Sequence, residues 1–231
     1  MTKRTEYLAG LKAAVPVIFG FIPVGIAYAI MARQAGFDIF ETCFMSVAVF
    51  AGASQMMAVG MYAQGAGLAA IILATFLLNL RHVIMSTCVM NKMHPAPKPA
   101  KIAAAFGVTD ESFAIFSTEK PERCTLSFFL GLITVTYLSW NLGTLIGAVT
   151  SDFLPPLLTA SLGIALYAMF IGLLFPGLSG NGRLVLLVLL TAVCNTLLCL
   201  VIPQSWALIV STLLCAFAGV FFVDLGGENE S

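Results

Sequence analysis

The sequence predicts an all-α, polytopic bundle of membrane-spanning helices, and three observations support this class. Of the 231 residues, 60% are hydrophobic and 10% are charged, whereas soluble domains are about 45–50% apolar and about 25% charged. The mean hydropathy is +1.00. Seven apolar stretches are close to the ~20 residues that a helix needs to cross a hydrocarbon core. These predicted spans are 13–32, 39–61, 66–90, 124–149, 153–176, 184–202 and 205–223.

An eighth stretch, 99–118, has the length of a span but carries Lys101, Asp110 and Glu111. An aspartate at the centre of an inserted helix costs about 2.5–3.5 kcal/mol, and Gly107 interrupts the helical pattern. We therefore predict a broken or re-entrant segment here, packed against protein. The alternative is that this stretch also crosses, which gives eight full spans.

The charges between the spans predict the sides of the membrane, because positive loops favour the cytoplasm. Lysines and an arginine flank 99–118 on both sides, so both flanks are expected inside. Counting from there places the loop at 150–153 outside, Arg33 inside and the N-terminus outside. Lys3, Arg4 and Lys12 contradict the last assignment. Either 13–32 does not fully cross or 99–118 does.

Composition also excludes several classes of protein. Eleven basic and eleven acidic residues give no net charge for binding nucleic acid. Five of the six cysteines fall inside apolar runs, without a C-x-x-C pair, and are typical of small buried side chains. His82 and His94 are the only histidines, so we expect neither a metal site nor a cofactor.

One transmembrane domain, 1–231, is predicted. The early AYA at 27–29 resembles a signal-peptide cleavage site, but Pro16 and Pro23 are more typical of a kinked permanent span.

The adjacent acids of FGVTDESFAIF, at 106–116, are the first candidate site. Thr109 or Asp110 suits the N-cap of a helix, whose first turn favours the acids. In one interpretation this is a cytoplasmic helix start with two solvated carboxylates. In the other, a half-helix opens at membrane depth, where its N–H groups bind a carboxylate and Asp110 and Glu111 carry a proton.

The second candidate lies in TFLLNLRHVIMST, at 75–87. Helical spacing places Asn79 and His82 on one stripe with Thr75 and Ser86, and Arg81 about 120° away. A mid-span arginine must pair or reach the interface. A salt bridge to Asp110 or Glu111 and direct contact with a substrate both remain open.

Two predicted spans carry small or helix-breaking residues near their centres, FGFIPVG at 19–25 and FAGASQ at 50–55. Close helix packing explains both clusters. Alternatively both are unwound points that bind substrate, with polar contacts from Ser54 and Gln55. Trp140, Asn141 and Asn195 are weaker candidates.

Four motifs resemble the successive signatures of the AzlC family, the large subunit of bacterial branched-chain amino-acid exporters. They are IPVGIAYAI, VFAGASQMMAVGM, LNLRHVIMS and FGVTDESFAI, in family order over roughly 10–117; the C-terminal half is similar only in hydropathy and length. The resemblance implies an inner-membrane exporter of valine, leucine, isoleucine and methionine, with a small AzlD-like membrane subunit as partner. The matching positions here are Pro23, Gly25, Ala51 to Gln55, Asn79, Arg81, His82 and Thr109 to Glu111.

The sequence thus predicts a secondary transporter for apolar amino acids, driven by protons. No G-x-x-x-x-G-K-[ST] loop is present to use ATP. An intramembrane enzyme is disfavoured, because H-E-x-x-H, G-x-S-x-G and a second membrane aspartate are missing. A non-transporting scaffold subunit, or a permease for another small apolar solute, is the alternative.

Overall fold

The computed structural model describes residues 2–153 and 182–222, together with the isolated positions 171 and 178. Over these residues the chain is helical and has no β-strand. We number the helices in order along the described chain. They are α1 (Lys3–Gln34), α2 (Ile39–Val49), α3 (Gly52–Ala63), α4 (Leu68–Lys92), α5 (Lys98–Phe106), α6 (Asp110–Thr118), α7 (Leu126–Thr150), α8 (Gly182–Leu198) and α9 (Gln204–Phe222), with 3-10 turns at Pro121–Arg123 and Ser151–Phe153.

Three of these helices are long and apolar enough to cross a membrane: α1, α4, and α7 with the turn that follows it. They correspond to the predicted spans 13–32, 66–90 and 124–149. The predicted spans 184–202 and 205–223 appear as the shorter helices α8 and α9. The predicted span 153–176 lies almost entirely outside the described residues.

Helices α1 and α7 run side by side in the same direction. Near their starts, Thr125 donates a hydrogen bond to Glu6 (2.9 Å). At their other ends, Arg33 in the last turn of α1 pairs with Asp152 just after α7 (3.4 Å). Glycines on both helices allow the close approach, because a Cβ at any of them would collide with the opposite backbone. These glycines are Gly10, Gly25, Gly131, Gly143 and Gly147. Small residues at a helix contact are the usual means of tight packing in membranes.

Helices α2 and α3 form a hairpin that enters the bundle and returns to the same end. The Phe37 ring, just before α2, contacts the Tyr62 ring near the end of α3, with centroids 5.1 Å apart. The prediction of one crossing over 39–61 is therefore wrong. Each arm has 11 or 12 residues, about 17 Å of helix, which is about half of a ~30 Å core.

Helices α5 and α6 form a second hairpin, which enters from the opposite end. The amine of Lys101, near the start of α5, donates to the carbonyl of Met90 (3.1 Å). Lys92, at the end of α4, donates to the carbonyl of Glu119 just after α6 (2.9 Å). The predicted break in 99–118 is confirmed, at Gly107 to Thr109. No regular eighth span exists there.

The two hairpins correct the predicted sides. The starts of α1 and α7, the end of α4 and both ends of the α5–α6 hairpin share one end, which we call the basic end; its charges include Lys3, Arg4, Lys92, Lys98, Lys120 and Arg123. Arg33 lies at the other end, beside Asp152, so its predicted position opposite the 150–153 loop is wrong. Both explanations offered for the N-terminus are wrong as well, because α1 is continuous over Lys3–Gln34 and 99–118 is broken. The count of crossings changes because 39–61 also turns back.

A further consequence is an internal repeat that the sequence does not reveal. The chain twice makes a long helix followed by a two-helix hairpin, first as α1 with α2–α3 and then as α4 with α5–α6. The second unit runs in the opposite direction to the first. Helix α9 packs against α4, where Ile209 belongs to one buried cluster with Ala70 and Ala74.

The unwinding predicted as one alternative for 19–25 does not occur, because α1 is continuous through Pro16 and Pro23. Proline is tolerated inside such helices when neighbouring groups satisfy the freed carbonyls. The breaker cluster at 50–55 does interrupt its helix, at Phe50 and Ala51. Of the two clusters, only the second forms an unwound point.

Candidate functional site: a cavity between two hairpin tips

The tips of the two hairpins meet at a small cavity at mid-height in the bundle. Phe50, at the tip of α2–α3, lies 6.1 Å from Phe106, at the tip of α5–α6, measured between ring centroids. The middles of the three long helices supply the remaining walls. The cavity is lined by Phe21, Phe50, Ala51, Gly52, Ala53, Arg81, His82, Thr109, Asp110, Glu111 and Trp140. Its water-accessible volume is about 40 Å³, enough for a few water molecules and too little for an amino acid without some opening.

An ion pair joins α4 to the α6 tip across this cavity. The guanidinium of Arg81 lies 3.1 Å from a carboxylate oxygen of Asp110, and the two side chains are 32% and 28% exposed. The salt bridge that the sequence left open is therefore formed with Asp110. The Nε of Arg81 is buried and has no hydrogen-bond partner among the described residues, so the guanidinium keeps at least this N–H for a further acceptor.

Glu111 lies next to the Arg81–Asp110 pair and forms no salt bridge to a basic group in the described part of the chain. It borders the cavity and also an apolar groove between α1 and α6, which Phe21 shares. Pro16, Gly20 and Ile115 are among the other residues of that groove. Glu111 is therefore the carboxylate that a ligand or a proton can engage without breaking the Arg81–Asp110 pair.

His82 links α4 to the backbone of the broken segment. Its Nδ1 lies 3.0 Å from the carbonyl of Val108. A carbonyl only accepts, so Nδ1 carries the hydrogen and Nε2 is left for another partner. Nε2 is buried and finds none within the described chain. His82 also borders a second groove, which follows α4 along Ser86, Thr87 and Asn91 towards the basic end.

The two tips differ in how their helices begin. Thr109 accepts a hydrogen bond from the backbone N–H of Ser112, and the Ser112 hydroxyl accepts one from the N–H of Thr109, so α6 begins with the predicted Thr109 N-cap. At the start of α3, Ala51 offers no capping side chain. The preceding Phe50 has φ 46° and ψ 42°, a left-handed conformation that costs a non-glycine residue about 1–2 kcal/mol. Such strain is often found at functional sites.

The remaining polar candidates lie behind the cavity wall. Ser54 donates to Asn79 and so joins α3 to α4. The amide nitrogen of Gln55 donates to Ser46 (3.1 Å), whose hydroxyl lies 2.8 Å from that of Thr144. The carbonyl oxygen of Gln55 is buried without a partner in the described regions. These contacts hold α3 in place, and none of the three candidate residues lines the cavity.

Pro23 and Gly25 also lie outside the cavity. Pro23 is on an exposed part of α1. Gly25 is buried against α7, where a Cβ would approach the carbonyl of Trp140 to 2.9 Å. Close packing of α1 on α7 therefore explains the glycine at position 25. A role of Pro23 in the substrate or proton pathway stays a prediction.

Sequence reasoning missed three aromatic walls or gave them little weight: Phe21, Phe50 and Trp140. Trp140 is 3% exposed, and its Nε1 has no hydrogen-bond partner in the part of the chain that the structure describes. Its ring packs against the start of α3, so that a Cβ at Gly52 would come within 2.5 Å. The signal was present in the sequence, since Phe21 and Phe50 belong to the two breaker clusters.

The described residues contain no group of three or more His, Cys, Asp or Glu side chains that could hold a metal ion. The ionisable groups at the cavity are Arg81, His82, Asp110 and Glu111. Such groups inside a bundle are costly and typically functional. The arrangement can bind a small ligand carrying both charges, or transfer protons.

Long apolar helices, two half-length hairpins and a polar cavity at mid-height define an integral membrane protein. Comparison with known sequences identifies its family: the AzlC protein family matches residues 16–154, more than half of the chain. The chain belongs to the AzlC family.

Three relatives illustrate the relationship. An uncharacterized membrane protein of Archaeoglobus fulgidus is 33% identical, over 78% of this chain and 80% of the relative. The inner membrane protein YgaZ of Escherichia coli is 31% identical, over 73% and 71%. The branched-chain amino acid transport protein AzlC of Bacillus subtilis is 27% identical, over 74% and 69%. No solved structure matches the chain.

Proposed function

We propose that the chain is a single-domain secondary transporter subunit that exports branched-chain amino acids across the bacterial inner membrane. Valine, leucine, isoleucine and methionine are the proposed substrates. The observation that carries the proposal is the cavity at which two half-length hairpins meet. In secondary transporters, discontinuous helices of this kind form the substrate site near the bilayer midplane. The B. subtilis relative is named a branched-chain amino acid transport protein.

The lining of the cavity suits an apolar amino acid. Asp110 and Glu111 offer carboxylates to the substrate's ammonium group, and Phe21 and Phe50 offer apolar surface to its side chain. Thr109 fixes the helix that carries both acids. Arg81 keeps Asp110 in position and offers its unpartnered Nε.

Protons are the proposed coupling ion. Glu111, which has no salt bridge in the described chain, and His82, whose Nε2 is unpartnered there, are the proposed carriers. The groove from His82 past Ser86 and Asn91 leads towards the basic end and offers a route for protons and water. An inward proton gradient would then drive export of the substrate.

The basic end is proposed to face the cytoplasm, because positive residues are enriched on that side. The N-terminus is then in the cytoplasm. The bundle combines helices that cross the membrane fully with two hairpins that enter it from opposite sides. In a variant without native cysteines, Gln64→Cys should react with a membrane-impermeant thiol reagent on intact spheroplasts. Glu122→Cys should react only after permeabilisation. The reverse pattern would contradict this orientation.

An efflux assay tests the transport function. Cells preloaded with labelled leucine should release it faster when they express this chain together with a small AzlD-like membrane subunit than when they carry an empty vector. No difference for any branched-chain amino acid would defeat the substrate assignment. Release by the small subunit alone would instead favour the alternative, in which this chain is a scaffold.

A further inference from the structure

The starts of α3 and α6 face the same cavity with opposite electrostatic character. Helix α6 begins with a complete capping box and with Asp110 and Glu111 in its first turn, so its positive dipole end is balanced by carboxylates. Helix α3 has 12 residues and begins without a side-chain cap and without an acid in its first turn. The first N–H groups of a helix have no partner within it, and an uncapped N-terminus therefore favours an anion.

A second and independent observation points to a ligand at this wall. Trp140 borders the cavity, and only 3% of the residue is exposed. Its Nε1–H has no hydrogen-bond acceptor among the described residues. Buried indole N–H groups usually have a hydrogen-bond partner. The six-membered ring of Trp140 packs on Gly52, and both residues line the same cavity. The indole that carries the unpartnered donor therefore belongs to the same wall as the uncapped helix start.

We propose that the substrate's carboxylate binds at the N-terminus of α3, on the N–H groups of Gly52 and Ala53 together with Nε1–H of Trp140, and not primarily on Arg81. This inference rests on the proposed amino-acid transport and names the subsite for one end of the substrate. Arg81 is already engaged by Asp110 at 3.1 Å. The ammonium group then faces the acids of the α6 tip, so that the zwitterion bridges the two hairpins.

This arrangement explains why the position before Gly52 carries no capping residue. A serine at an N-cap accepts hydrogen bonds from the first turn and would compete with an incoming carboxylate. Ala51 lies on the cavity wall and is only partly buried, so a hydroxyl can be accommodated there. An internal cap should therefore favour helix formation and weaken substrate binding at the same time.

The experiment uses this opposition of effects. Ala51→Ser is compared with Gly67→Ser, which adds the same potential cap to α4, at a position with extended backbone, exposed and with open space around it. Both variants are expected to keep or raise the thermal midpoint. Leucine transport is measured in vesicles that contain the chain and its small partner subunit. Ala51→Ser should raise the half-saturating leucine concentration about 10-fold, the effect of losing a hydrogen bond to a charged group, and Gly67→Ser should leave it unchanged.

Trp140→Phe provides a second measurement, because it keeps an aromatic ring and removes the N–H. We expect a rise of about 10-fold for leucine. Inhibition of leucine transport by 3-methylbutylamine, which is leucine without its carboxylate, should be the same for this variant as for the wild type. If Ala51→Ser and Trp140→Phe both kept the half-saturating leucine concentration of the wild type, the inference would be overturned. The proposed transport function would not be affected by that result. Absence of transport by the wild type would instead defeat the proposed function, and the inference with it.

Discussion

The two hairpins share one architecture and differ at their tips. Each consists of two half-length helices that return to the end from which they entered, and they enter from opposite ends. The α2–α3 tip is apolar and begins α3 without a cap. The α5–α6 tip carries a capping box and two adjacent acids. A common backbone plan therefore presents opposite charges to one cavity.

The difference shows how a mostly apolar chain can recognise a ligand with two charges. An uncapped helix start offers a partial positive charge from backbone groups alone, without the cost of placing a cationic side chain in the membrane. The negative partner cannot be made in this way at a helix start, so it requires side chains, Asp110 and Glu111. In the proposed binding mode, this asymmetry gives a reason for two adjacent carboxylates at 110 and 111 in an apolar chain.

The largest expected effect comes from removing the free acid of the α6 tip. Glu111→Gln should abolish the acceleration of leucine efflux by an inward proton gradient, because Glu111 is the proposed proton carrier. Asp110→Asn should also impair efflux, but through loss of the partner of Arg81. The measurement is leucine efflux at several external pH values, with the amount of membrane-inserted protein determined in parallel.

Glu122→Gln is the matched control, since Glu122 is an exposed acid in the turn at the basic end. Its pH profile should equal that of the wild type. If Glu111→Gln also retained the wild-type profile, the acids would act only at the helix start, and the functional contrast between the two tips would be lost.

A smaller effect is expected from the ion pair that ties α4 to the α6 tip. Arg81→Gln leaves Asp110 unpaired and should destabilise the protein by about 2 kcal/mol. This is below the ~3–5 kcal/mol found for fully buried pairs, because both side chains remain about one third exposed. Thermal unfolding in detergent measures the change.

Two further variants decide what Arg81 does. Arg81→Gln combined with Asp110→Asn should restore most of the stability, because no unpaired charge remains. The peripheral pair supplies the control: Asp152→Asn should cost less than about 1 kcal/mol, as Asp152 is 66% exposed and Arg33 keeps its bond to the carbonyl of Phe37. Failure of the double variant to recover stability would mean that Arg81 does more than neutralise Asp110.

The sequence predicted the fold-back at one tip, whereas at the other it offered a break only as an alternative and missed the fold-back, for a physical reason. Charges, Gly107 and the Thr109 cap all lie within the 99–118 stretch, so its break can be inferred locally. The 39–61 stretch has only small and apolar residues at 47–53, around its break at Phe50 and Ala51, and has the length of a full crossing. The contact that turns it back, between Phe37 and Tyr62, joins residues 25 positions apart and leaves no periodic signal.

The candidate site was predicted only in part, because its polar residues are evident locally in the sequence and its aromatic walls depend on distant contacts. Arg81, His82, Thr109, Asp110 and Glu111 are conspicuous because polar residues are rare in this chain, and all five line the cavity. Trp140 resembles any other aromatic residue in an apolar helix, and Phe21 is marked only by its place in the breaker cluster at 19–25. Their position becomes evident only when the parallel packing of α1 on α7 is known. The prolines of α1 were misleading locally, since that helix continues through both.

The smallest expected effect sharpens the contrast in capping. Thr109→Ala removes the cap of α6 and should lower stability by about 1 kcal/mol, a fall of about 2–4 °C in the thermal midpoint for a chain of this size. Thr109→Ser should retain the cap and the midpoint. Because the acids, and not the N–H groups, are proposed to bind the substrate at this tip, half-saturation by leucine should change less than about 2-fold, against about 10-fold for a cap added at Ala51. Equal changes in half-saturation at the two tips would show that both helix starts bind the substrate alike. The measurement therefore separates a helix start that is capped for stability from one that is left open for a ligand.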